Sequence, residues 1–170
     1  MTSNFLKLAQ ARYSCRAYEQ RAIEQEKIQA LCEAARLAPT GCNKQEQRLF
    51  VLQSPEALAK IRRCTACHFQ APTVFLLCYD SSDIWHRPFD GWEAGYTDCA
   101  SVVTHILLAA TDLGLGTCWV AYFDPKAVIK EFNLPANLVP AALIPCGYPA
   151  QGPCDRHNDR RAISELVKFL

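Results

Sequence analysis

The stretch GYTDCASVVTHILLAATDLGLGTCWVAY, Gly95 to Tyr122, decides the fold. Gly95 to Leu113 holds no proline and few polar positions, and its apolar residues cover most of a helical circumference. A helix of that kind is buried on more than one side, which places it at the centre of the structure. Gly114 is a natural left-handed cap for its end. Thr117 to Tyr122 then reads as a strand. Upstream, Thr73 to Tyr79 (TVFLLCY) reads as a buried strand, entered from Pro72 and left through Asp80-Ser81-Ser82. Ser54-Pro55 sets an N-cap with proline at the first helical position and opens a helix to about Arg63. Leu49 to Leu52 is a short apolar run before it. Ile28, Leu31, Cys32 and Ala35 recur at helical spacing until Pro39, and Asn4 to Ala11 forms a short amphipathic helix. Downstream, Asp124-Pro125 caps a helix to about Phe132, Ala141 to Cys146 is a further strand, and the tail RRAISELVKFL is basic and then apolar. Helical residues outnumber strand residues, so the spacing predicts an α+β fold with a small sheet.

The whole chain, 1–170, reads as one domain, since that length buries a core without staples and no linker or repeat divides it. Its 18 basic and 17 acidic residues leave a net charge of +1, which argues against a nucleic-acid binder. Residues 1–63 carry 11 basic and 6 acidic side chains, whereas residues 64–154 carry 3 and 8, so positive charge gathers in the first third. No run approaches the ~18 apolar residues of a membrane span, and the first residues lack a secretory pattern. The expectation is a cytoplasmic protein with reduced thiols, its ten cysteines serving as small buried hydrophobes.

Two local patterns suggest chemistry and then fail on their own terms. Cys64-Thr65-Ala66-Cys67-His68 matches a haem-attachment string, but such a protein requires export and a second axial ligand. As a zinc half-site it lacks a matching second pair, so a packed loop before a strand is the better reading and no metal is expected. Asp98, Ser101, His105 and Asp112 share one stripe of the long helix. A helical Ser with His four residues on offers no strained nucleophile and no oxyanion hole, so the stripe is expected to hydrogen-bond across a helix contact within an oligomer.

A dispersed set is more coherent. Arg12-Tyr13-Ser14-Cys15-Arg16 places two guanidiniums and a hydroxyl together, and Arg160-Arg161 adds two more cations near the end of the chain. Such forks suit a phosphate. Pro39-Thr40-Gly41-Cys42-Asn43-Lys44-Gln45 is a polar turn able to read a heterocycle edge, and Val120-Ala121-Tyr122 offers a flat apolar surface.

The order of these pieces resembles the FMN-dependent nitroreductase family over roughly Leu6 to Phe169. The carrying motifs are Arg12-x-Ser14-x-Arg16-x-Tyr18, Ala38-Pro39-Thr40-x-x-Asn43-x-Gln45, and Ala71-Pro72 before a strand. They continue with Asp98 through Leu113-Gly114-Leu115-Gly116-Thr117-Cys118-Trp119, Phe123-Asp124, Leu134-Pro135, Gly147-Tyr148-Pro149 and Arg160-Arg161.

The resemblance implies a small mixed or antiparallel sheet surrounded by helices, in an intertwined homodimer with the central helix at the interface and two FMN sites. Arg12, Tyr13, Ser14 and Arg16 would hold the phosphate and the pyrimidine side, joined by Arg160 and Arg161. Pro39, Thr40, Gly41, Asn43 and Gln45 would come from the other subunit. Val120, Ala121 and Tyr122 would lie along the isoalloxazine, with a backbone N–H near flavin N5. The implied activity takes hydride from NADH or NADPH and passes electrons in a ping-pong cycle to a nitroaromatic, quinone or similar small acceptor. No protein residue is then expected as acid, base or nucleophile, because the cofactor carries the reaction. The alternatives are a flavin-binding redox sensor or storage protein, or a same-fold enzyme of dehalogenation, flavin cleavage or dehydrogenation.

The chain also departs from the family. Glu46 stands where proline is usual, and Tyr122 narrows the space over the flavin. Asn158 replaces a basic phosphate ligand, for which Arg156 or His157 could compensate. Ser81–Gly95 is the candidate lid, with Trp85, Phe89 and Trp92 lining an acceptor site or packing the loop onto the body.

Overall fold

In the computed structural model, which describes residues 3–170, the order is α1 (Asn4–Ala11), α2 (Gln25–Arg36), β1 (Gln47–Leu52), α3 (Pro55–Cys64) and β2 (Thr73–Asp80). There follow α4 (Gly95–Asp112), β3 (Gly116–Thr117), α5 (Pro125–Phe132), β4 (Leu138–Gly147) and α6 (Ile163–Leu166). Local chemistry sets the boundaries as expected. Ser54 Oγ accepts from the Ala57 N–H at 3.1 Å, and Asp124 Oδ1 accepts from Lys126 and Ala127 at 2.9 and 3.2 Å. Each cap satisfies helix N–H groups that would otherwise lack a partner, worth about 1 kcal/mol. Leu113 ends α4, and Gly114 follows at φ 73, the left-handed geometry expected of it.

The sheet runs β1-β2-β4-β3, and every strand pair is antiparallel. β2 is apolar along its whole length because both faces are covered. Phe75, Leu77 and Tyr79 point into a core shared with α2 and α4, whereas Val74, Leu76 and Cys78 point into a second core under α3 and α5. Full burial of side chains such as these stabilises by roughly 1.5–3 kcal/mol each. α4 buries Val102, Val103, Ile106, Leu107 and Ala110, and packs against α1, α2 and all four strands. The helix is therefore central within a single chain.

The strand expected over Thr117–Tyr122 is shorter in the structure. β3 ends at Thr117, yet Val120 bridges Leu143 in the same register as Gly116 with Gly147. The break has a covalent cause. Cys118 donates to the Pro145 carbonyl at 3.2 Å, and the ring nitrogen of Pro145 has no hydrogen to return the bond. Beyond Val120 the chain leaves the sheet, so Ala121 and Tyr122 are exposed.

On the polar stripe of α4, Asp98 Oδ2 accepts from the Gly41 N–H at 2.8 Å, and His105 Nδ1 meets the Ser101 carbonyl of its own helix at 2.9 Å.

Candidate functional site

Arg12 to Arg16 leaves α1 as an extended segment beside β3. The Cys15 N–H donates to the Thr117 carbonyl at 2.8 Å, and Ser14 forms a parallel bridge with Thr117. That close approach depends on Gly116, where a Cβ would lie 2.7 Å from Cys15 Sγ and 2.8 Å from Cys15 Cβ. Gly116→Ala is therefore expected to cost about 1–3 kcal/mol and to push the Arg12–Arg16 segment outward. Thermal melting checks the first effect and ligand affinity the second.

This segment and the turn at Asp155–Asn158 enclose a pocket of about 610 Å³ lined by Arg12, Tyr13, Ser14, Arg16, Cys154, Asp155, Arg156, His157 and Arg160. Tyr13 and His157 brace it. The Tyr13 hydroxyl donates to the Gln151 carbonyl at 2.7 Å, His157 Nε2 meets the Gln10 carbonyl at 2.8 Å, and the two rings stand edge to face 6.2 Å apart. Burial and the neighbouring Cys15 push the Tyr13 phenol up, so it stays a neutral donor. Arg12, Arg16, Arg156 and Arg160 all reach this one pocket, and none forms an ion pair among the described residues. Asp155 is the single carboxylate on its wall. Arg161 does not line it; Arg156 and His157 do.

Ala121 and Tyr122 open onto a second pocket of about 620 Å³, shared with Arg62, Arg63, Cys64 to Ala66 and His68. Thr65 Oγ1 donates to the Tyr122 carbonyl and accepts from the Cys67 N–H, and the Asp124 N–H donates to the Cys64 carbonyl. Cys118 is buried, and burial pushes its thiol up while the nearby Arg16 draws it down. Val120 donates its N–H to Leu143, so it has none to offer a ligand. The N–H groups of Ala121 and Tyr122 make no hydrogen bond among the described residues.

Arg62 and His68 join this pocket because the loop before β2 returns against Ala121 and Tyr122, which no local signal in the sequence marks. Burial raises the Cys64 pKa, the opposite of what a reactive thiol needs, and its Sγ–H donates to the Lys60 carbonyl. No group of three or more metal-ligating side chains occurs among the described residues. His68 is the informative member. Its Nδ1 accepts from the Gln70 N–H at 3.0 Å, which puts the proton of the neutral ring on Nε2 as a donor. Burial and the nearby Arg62 lower its pKa and favour that neutral ring.

Pro39, Thr40, Gly41, Asn43 and Gln45 line neither pocket. Their loop takes three non-glycine residues into the left-handed region: Cys42, Asn43 and Gln45, at φ 50, 54 and 55. Such residues cost of order 1–2 kcal/mol apiece, so surrounding contacts must hold them. Three do so at the ends: Gly41 to Asp98, the Gln45 N–H to Thr40 Oγ1 at 3.0 Å, and the Asp80 N–H to the Glu46 carbonyl at 2.9 Å.

The Ser81–Gly95 excursion is tied to itself. Arg87 makes a two-pronged pair with Asp90 at 2.7 and 2.6 Å and lies over the Trp92 ring, and Trp85 meets Trp92 edge to face at 6.4 Å. Trp85 also packs on Gly41. Phe89, by contrast, is 94% exposed and Tyr122 76%.

The arrangement has counterparts among known proteins. The nitroreductase family model matches residues 9–73 and 65–148. A nitroreductase family protein of Clostridium difficile superimposes with a TM-score of 0.93 at 42% identity, covering 98% of both chains. A provisionally named nitroreductase from Desulfovibrio desulfuricans, solved in complex with FMN, gives a TM-score of 0.84 at 25% identity over 100% of this chain and 98% of its own. A Methanothermobacter thermautotrophicus protein, provisionally named NADH dehydrogenase/NAD(P)H nitroreductase, is 30% identical over 158 residues, 89% of this chain and 80% of its own length. Fold, motif order and these matches agree, and the chain belongs to the nitroreductase family.

Proposed function

We propose that this chain is an FMN-dependent oxidoreductase that carries electrons from NADH or NADPH to a nitroaromatic, a quinone or a similar small acceptor. The observation that carries the reading is the convergence of four guanidiniums without ion-pair partners on one pocket. A dianionic phosphate answers that charge, and the FMN-bound Desulfovibrio desulfuricans relative supports FMN as its bearer. Bound FMN supplies the redox chemistry, accepting hydride from the nicotinamide and passing electrons on in a second half-reaction.

The protein's part is position and field. Arg12, Arg16, Arg156 and Arg160 hold the phosphate, with Ser14 as a further donor and Arg161 outside the first contacts. A flavin ring held there would lie against Ala121 and Tyr122, whose unused N–H groups suit flavin N5. Arg62 and the Nε2–H of His68 meet the pyrimidine edge, where positive charge favours the anionic reduced ring. Tyr122, Trp85, Phe89 and Trp92 border the acceptor space.

The functional unit is a homodimer of single-domain chains, with Pro39, Thr40, Gly41, Asn43 and Gln45 delivered to the partner's flavin. Support comes from apolar surface left open among the described residues: the Phe5, Leu108 and Trp119 groove beside α4, and Ile163, Leu166 and Phe169 of the tail. Ten unpaired thiols suit the reducing cytoplasm, and no helix among the described residues is long and apolar enough to cross a membrane.

The purified protein is expected to be yellow, to release FMN on boiling, and to bleach rapidly and anaerobically with NADH or NADPH. A colourless chain that cannot be reconstituted with FMN overturns the reading, and slow bleaching of a yellow one moves it to a flavin store or sensor.

A further inference from the structure

Glu46 is 1% exposed, and both of its carboxyl oxygens lack a hydrogen-bonding partner able to donate to them. Its neighbour is another carboxyl group, that of Asp98, itself 9% exposed and bound to the Gly41 N–H. Gly41 and Glu46 are the two ends of the strained loop, so the pair closes that loop from beneath.

From this juxtaposition we propose that Glu46 and Asp98 form a proton-sharing carboxyl clasp that positions the Thr40–Gln45 loop for the cofactor. The role in cofactor binding rests on the FMN reading above. The clasp itself does not. A protonated Glu46 donates its O–H to the Asp98 carboxylate, whose other obligation is the Gly41 N–H. With Glu46 ionised, two negative charges face each other away from water with no donor between them, and the loop loses its lower anchor.

The surrounding charges leave no other compensation. From α4 come Asp98 and Cys99, and from the Ser81–Gly95 excursion comes Asp83. Of the nearby cations, Lys44 of the loop itself has its Nζ taken by Asp83 at 2.6 Å, and Arg48 donates to the Gln45 and Gln47 carbonyls at 3.0 Å. Asp80, at the adjacent strand end, is engaged by Asn137 and by Arg48. Burial and then Asp98 accordingly push the Glu46 carboxyl up to about 7 from an ordinary value of 4.5. The folded chain therefore holds this proton over a range where the unfolded chain has lost it. Stability falls as pH rises between those two values and levels off above the higher one. A residue placed where the family usually has proline thus makes the loop sensitive to pH near neutrality.

The test compares the parent chain with Glu46→Gln, whose amide donates to Asp98 at every pH. Melting of the flavin-free proteins is followed from pH 5.5 to 8.5. The parent is expected to lose about 5 °C relative to Glu46→Gln across that range, and FMN dissociation constants to weaken about tenfold in the parent alone. Asp98→Asn, which removes the opposing charge, is expected to flatten the profile as well and serves if Glu46→Gln does not fold. Glu46→Ala should melt lower at every pH. Parallel melting profiles for the parent and both amide variants overturn the clasp. A parent that binds no FMN at pH 6 overturns the flavin reading instead, while the melting comparison still decides the clasp.

Discussion

Arg12→Ala is expected to lower FMN affinity about 100-fold and to leave the flavin-free protein's melting temperature within about 1 °C of the parent. The asymmetry follows from what Arg12 touches. Its guanidinium lines the pocket proposed for the phosphate and forms no ion pair among the described residues, so its removal costs the fold almost nothing. A hydrogen bond to a charged group contributes about 1.5–3 kcal/mol, and each 1.4 kcal/mol is about tenfold in affinity. Fluorescence titration of FMN measures the loss. Arg161→Ala is the control, because its side chain lies outside the pocket; its affinity should change less than about threefold. Equal losses in the two variants would show that the phosphate is held elsewhere, nearer the tail than Arg12.

Phe75→Ala is the expected counterpart for stability. Phe75 is 0% exposed at the middle of β2, and its ring faces the core shared with α2 and α4. Truncating a buried phenylalanine removes its transfer free energy and leaves a cavity, together about 3–5 kcal/mol. Domains are stable by only about 5–15 kcal/mol, so one ring accounts for a large share. Melting should fall by roughly 6–20 °C. Phe89→Ala removes the same ring from the exposed tip of the Ser81–Gly95 excursion and should shift stability by no more than about 0.5 kcal/mol. Its effect belongs in the KM for the acceptor, which tests whether this tip borders the substrate.

The elements readable from sequence were those whose signals are local. Ser54, Asp124 and Gly114 act within three or four residues of themselves, and their helices begin and end where those residues place them. The unbroken apolar run of β2 announced a strand covered on both faces. The strand over Thr117–Tyr122 was legible only in part, because its interruption depends on a proline in another strand, Pro145. The bond from the Gly41 N–H to Asp98 was hidden for a similar reason: the two are distant in sequence, and no side-chain pattern marks the pair. Much of the lining of the arginine-rich pocket was visible, since Arg12, Ser14 and Arg16 are close in sequence and Arg160 stands out in the tail. Arg62 and His68 were not, because nothing in the sequence says that the loop before β2 comes back against Ala121 and Tyr122.

By itself the sequence determined the α+β class through periodicity and capping, and the order of its motifs carried the resemblance to the family. Only the tertiary structure decided which cations share a pocket, which backbone N–H groups remain unused, and that two carboxyl groups meet beneath the loop. The physical reason is distance along the chain. Periodicity and caps reflect interactions within a helical turn, whereas a pocket or a carboxyl pair is an encounter between segments. Its energy depends on burial and on neighbours that folding alone assembles.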